Sequence, residues 1–163
     1  MTLIVPFDGS KLSKAALVRA AQFDTLLQEG VIAVTVLPRN NTEYARERGW
    51  LDENEPFDAE AIVGSLRSTV ADIAPEAEFR YEVVDRYAPV GTVAGRLRQF
   101  ARENTASIVF LGSENAGRIV SGFTVGASVS ADRAYDTMII NSVRPTPVEK
   151  LADVAPSVEE IDD

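Results

Sequence analysis

The run LGSENAGRIVSGFTVGAS, from Leu111 to Ser128, places four glycines and four serines or threonines directly after an apolar segment. Glycine lets backbone come close to a ligand, and the N–H groups that open a helix attract anions, so such a run suits a phosphate. Gly112 and Ser113 would present unpaired N–H groups at one side of a crevice. Gly126, Ala127 and Ser128 would open a final helix whose N-terminus faces the same anion. Ser121 and Thr124 add hydroxyls between them, and Arg118 adds a cation. The competing reading is a flexible connection whose glycines serve tight turns. A second candidate is Asp8 in PFDGS, whose carboxylate could accept hydrogen bonds from a ribose or an adenine amine. Its local alternative is an Asx turn, or a cap for a helix starting near Lys11.

The residues the chain lacks narrow the chemistry. It has no Cys and no His, which excludes a thiol nucleophile, a disulfide framework, a Cys/His zinc site and a Ser-His-Asp triad. Acid–base work would fall to carboxylates, Lys, Tyr or a metal-bound water. Neither G-x-x-x-x-G-K-[ST] nor a strand-linked G-x-G-x-x-G occurs. A phosphoryl-accepting receiver domain needs several acids at the strand ends and a late Lys, whereas here the first strand offers Asp8 and the last Asn141. The expectation is a protein that is not an enzyme, or a slow ATPase at most.

These residues need a frame, and the hydrophobic pattern supplies one. Leu3–Val5 reads as a buried strand before Pro6, and Leu12, Ala16, Ala20, Phe23 and Leu27 recur at helical spacing over Lys11–Glu29. Ser10 is the expected N-cap and Gly30 the C′ residue. Val31–Leu37 is continuously apolar, the pattern of a parallel strand covered on both faces. The charged interval from Pro38 to Pro56 holds Arg39, Arg46, Arg48 and the single Trp50, with a helical turn or two in TEYARER. Ala59, Ile62, Leu66, Val70 and Ile73 form a helix stopped by Pro75, and Phe79–Val84 is a third strand. A helix through Val90, Val93, Leu97 and Phe100, with Pro89 near its start, leads to strands at Ser107–Leu111 and Thr137–Ile140. Five strands separated by helical crossovers predict an α/β, doubly wound, Rossmann-like parallel sheet with helices on both faces. In such sheets ligands bind at the carboxyl ends of the strands, where the strand order reverses.

Charge and composition bound the partners. The net charge is −9, with thirteen Arg against Lys11, Lys14 and Lys150. So acidic a surface argues against nucleic-acid and anionic-membrane partners. Its poverty in Lys points to a halophile, whose internal salt screens self-repulsion; the alternative is an acidic protein of a GC-rich genome. No apolar stretch approaches the roughly 18 residues of a membrane span, nor does the N-terminus read as a signal peptide, so a cytoplasmic location is expected. Residues 1–144 read as one domain, and 145–163 as an acidic, proline-containing tail with six acids and one Lys. The tail reads as disordered by default, or as an arm that lays Val148, Leu151 and Val154 on a neighbouring subunit.

VPFDGSKLSKAAL, a strand ending in Gly-Ser, a Gly/Ser-bearing loop and a second Gly/Ser helix start together resemble the universal stress protein family over residues 1 to about 144. The expected strand order is 3-2-1-4-5. The resemblance implies a regulatory protein, typically a homodimer through its last strand. One branch of that family binds ATP through G-x-x-G, nine residues and G-[ST]; another lacks the motif and does not detectably bind it. Carried over, Asp8 would meet the adenosine with Pro6 and Phe7 beside it, and Val36 would offer a backbone contact to the base. Gly112, Ser113, Gly126, Ala127 and Ser128 would hold phosphate, with Asn115 and Gly117 between them and Mg2+ offsetting charge. The pattern departs from the motif: position four is Asn115, Gly117 follows two residues later, and Gly112 to Gly126 is fourteen steps against thirteen. The expected ligand is therefore ATP or another adenine nucleotide, and the alternative is a nucleotide-free dimer that acts through protein contacts.

Overall fold

A computed structural model describes residues 1–89, 91–113, 129 and 133–144. Five parallel strands form its sheet: β1 (Thr2–Pro6), β2 (Val31–Pro38), β3 (Glu78–Val84), β4 (Ala106–Gly112) and β5 (Asp136–Ile140). Their order is β3-β2-β1-β4-β5, as expected from the sequence. Among the described residues the helices are α1 (Lys11–Leu27), α2 (Thr42–Glu47), α3 (Ala59–Ile73) and α4 (Thr92–Glu103).

Side-chain pattern decides which strands lie centrally. All eight residues of β2 are buried, because β1 and β3 flank it and helices cover both faces. β3 sits at the edge, where Tyr81 and Val83 are exposed. The core has two layers. On one face Leu3, Val5, Leu37 and Phe110 pack against Ala16, Leu17 and Ala20 of α1 and against Ile62, Leu66 and Val70 of α3. On the other, Ile4, Val34, Val36 and Val109 meet Leu97 and Phe100 of α4. Each such large side chain, fully buried, contributes roughly 1.5–3 kcal/mol against exposure.

The helix ends show where local signals were read correctly and where they were not. Ser10 caps α1, its Oγ accepting from the Ser13 N–H at 3.2 Å. The helix stops at Leu27, two residues early, and Gln28 takes the left-handed cap position (φ 54°) expected of Gly30. Gly30 instead donates its N–H to Asp24 Oδ1 at 2.8 Å. Leu27, the last residue of α1, lies outside the core and is 43% exposed. Pro89 lies near the start of α4, as expected: Gly91 caps the helix, and the Pro89 carbonyl accepts from the Thr92 N–H in the preceding turn.

Candidate functional site

The order reverses between β1 and β4, since β1 leads outward through β2 and β3, and β4 leads the other way to β5. Beside that point a cleft opens at the carboxyl ends of β1 and β2. It is lined by Pro6, Phe7 and Asp8, by Val34, Thr35 and Val36, by Tyr44, Arg48 and Trp50, and by Val93 and Leu97. Its space, including the solvent at its mouth, is about 360 Å3. Four residues singled out in the sequence, Pro6, Phe7, Asp8 and Val36, thus converge from two strands.

Hydrogen bonds hold the loop after β1 on that rim. The Phe7 N–H donates to the Val34 carbonyl at 2.8 Å, and the buried Thr35 hydroxyl donates to the Phe7 carbonyl. Trp50 Nε1 donates to the Asp8 carbonyl at 2.7 Å. Asp8 Oδ1 accepts from the Ser10 N–H at 2.9 Å, which is the local Asx role. Oδ2 has no hydrogen bond to the described residues. The turn role occupies one oxygen only, so it does not exclude the other reading of Asp8, which lines the cleft.

The segment after β2 builds the opposite wall. Asn41 caps α2, accepting from the Tyr44 N–H at 3.0 Å, and its side-chain amide donates to the Arg86 carbonyl at 2.9 Å. The Arg39 N–H donates to the Val84 carbonyl at 2.9 Å, so the exits of β2 and β3 are tied together. Leu51 is buried and anchors the chain beyond α2. Arg48 Cζ lies 3.5 Å from the Tyr44 ring centroid, and the Tyr44 and Trp50 rings stand 5.8 Å apart. Burial pushes the Tyr44 hydroxyl above its ordinary value; Arg48 pulls it down, while Asp8 and Glu47 push it up further. Tyr44 therefore carries its proton throughout the neutral range. Sequence reading missed this wall, although Tyr44 and Arg48 stand four apart in TEYARER, the spacing that shares a helix face.

The glycine-run half of the expected site meets two corrections. The Ser113 N–H is not unpaired, because it donates to the Ile140 carbonyl of β5 at 2.9 Å. Gly112 has a packing reason to be glycine: a Cβ there would lie 2.8 Å from Leu12 Cβ and 2.9 Å from the Leu12 carbonyl carbon. Both residues close the β4–β5 pair and the α1–β4 contact, and neither lines the cleft. Asn115, Gly117, Gly126, Ala127 and Ser128, with Arg118, Ser121 and Thr124, lie outside the described residues. Among the described residues there is no group of three or more acids that could hold a metal ion, and no helix long and apolar enough to cross a membrane.

Comparison with known proteins places this architecture. No curated protein matches the chain. A universal stress protein solved with cAMP superimposes with a TM-score of 0.60 at 23% identity, covering 86% of this chain and 97% of the other. A universal stress protein from Archaeoglobus fulgidus solved with dAMP gives 0.53 at 17% identity, with 86% and 96% covered. UspA from Lactobacillus plantarum gives 0.57 at 16% identity, with 86% and 97% covered. At such identities these likenesses speak for the fold. The model of the universal stress protein family matches residues 1–151, and with the parallel sheet in its 3-2-1-4-5 order this chain belongs to that family.

Proposed function

We propose that the protein is a cytoplasmic, homodimeric regulatory module that binds an adenine nucleotide in the cleft at the ends of β1 and β2, and that it is not an enzyme. The observation that carries this reading is the cleft: Val34, Val36, Val93 and Leu97 share its lining with Asp8, one carboxylate oxygen of which lacks a partner among the described residues. Apolar flanks with one or two placed polar groups suit a base whose ring is buried and whose amine is hydrogen-bonded. Structural neighbours solved with cAMP and dAMP support the same ligand class. Phosphates would run toward Gly126, Ala127 and Ser128. A divalent ion such as Mg2+ would be held chiefly by the phosphates themselves. Residues 1–144 would be the domain, with 145–163 as its acidic tail, and the charge balance fits a cell rich in salt.

A second reading draws on the paired Ser113 N–H and the packing role of Gly112. Both features would serve a nucleotide-free dimer that acts through protein contacts. A thermal-shift titration with ATP and Mg2+ in molar KCl, with GTP as comparison, separates the two. At a hundred times its dissociation constant a ligand stabilises by about 2.7 kcal/mol, a shift of several degrees in a chain of this size. Saturable stabilisation by ATP and little by GTP is the expected result. No shift with either overturns the nucleotide reading in favour of the second.

A further inference from the structure

The wall built by α2 has a property that the strand ends do not. Arg48 is the one cation among the residues lining the cleft, and it makes no ion pair with the described residues of a chain whose net charge is −9. Its guanidinium carbon stands 3.5 Å from the centre of the Tyr44 ring. That separation is van der Waals contact, with the cation over the ring. One face of the guanidinium is covered by Tyr44. Both residues line the cleft together with the apolar side chains of Val93 and Leu97. A guanidinium is weakly hydrated above and below its plane and stacks on flat rings, whereas an ammonium does not. The stack is tied down from below, since Tyr44 touches Trp50 and Trp50 is hydrogen-bonded to the Asp8 carbonyl.

We propose that the Tyr44–Arg48 stack is the base-reading platform of the cleft: the free face of Arg48 takes a purine ring, so Arg48 selects for purines through its plane rather than by pairing with phosphate. The inference rests on the nucleotide reading above and goes beyond it by naming the element that recognises the base. It explains why an arginine stands in this lining with its guanidinium on an aromatic ring and no ion pair among the described residues. The larger purine ring covers more of the guanidinium than a pyrimidine does, which gives a preference for adenosine over cytidine compounds.

The test uses calorimetric binding of adenosine, AMP and CMP to the full chain and to Arg48→Ala and Arg48→Lys, with Trp50 emission as a second readout and near-ultraviolet circular dichroism as the check on folding. Losing a stacking partner weakens base binding by about 5- to 100-fold. The expected result is a loss of that size for adenosine and AMP alike, in both variants, with the preference for AMP over CMP reduced. Retained AMP affinity in Arg48→Lys would show that only charge counts and would overturn the stacking role. Unchanged or tighter binding in Arg48→Ala, with the wild type still binding AMP, would also overturn it while leaving the nucleotide site standing. Should the wild type bind none of the three, the nucleotide reading itself fails and the platform with it.

Discussion

At the scale of single residues, this cleft is built from groups with more than one task. Asp8 turns the chain through Oδ1, while Oδ2 has no hydrogen bond to the described residues. Thr35 and Trp50 use their donors to hold the backbone of Phe7 and Asp8, so they shape the rim without being available to a ligand. Tyr44 has a testable consequence. Its pKa is raised above the ordinary 10.0, chiefly by burial, so the folded state holds the phenolic proton more tightly than the unfolded chain does. The unfolded chain then loses its proton first as pH rises, and the stability contributed by Tyr44 is present below pH 10.0 and lost above it. Urea melts between about pH 8 and about pH 11 should show wild type losing stability faster than Tyr44→Phe. Parallel pH profiles for the two proteins would contradict the raised pKa.

At the scale of elements, the chain between β2 and α3 is the part that tells most. Its length and polarity identify an insertion, but its anchors, Leu51 and Trp50, are single apolar residues in a charged run and leave no periodic signal. The contact of β4 with α1 is the opposite case, in which a residue type was legible and its reason was not. Gly112 reads as a phosphate residue because it begins a glycine-bearing run; in the fold it is where α1 crosses closest to the strand, against Leu12. Gly112→Ala should therefore lower stability by about 1–3 kcal/mol through overpacking, read as a lower urea midpoint. A variant as stable as wild type that had nonetheless lost nucleotide would return Gly112 to the ligand.

At the scale of the whole molecule, charge outweighs any single contact. The ion pairs Arg80–Glu78 and Arg96–Glu82 are partly exposed, and such surface pairs contribute little, about 0–1 kcal/mol each. A net charge of −9 makes the compact state self-repelling, and salt screens that repulsion over about 10 Å at 0.1 M and about 3 Å at 1 M. The melting temperature should rise from dilute buffer to molar KCl. A flat profile would remove the argument for a salt-rich cell.

The sequence by itself determined the frame. Continuous apolar runs at β1, β2 and β4, alternating with helix-period segments, leave few ways to bury both faces of a strand other than a parallel sheet covered by helices. It also determined the excluded chemistries, because a chain without Cys or His lacks them in any fold. That Pro6, Phe7, Asp8 and Val36 would lie near one another followed from the family resemblance and the parallel order, and the register of β1 on β2 brings them to one cleft. What only the tertiary structure decided are contacts between elements distant in sequence: Trp50 on Asp8, Gly112 on Leu12 and Ser113 on Ile140. A hydrogen bond or a close approach across tens of residues leaves no spacing to read, since its geometry is set by how helices and strands pack and not by the order in which they are joined.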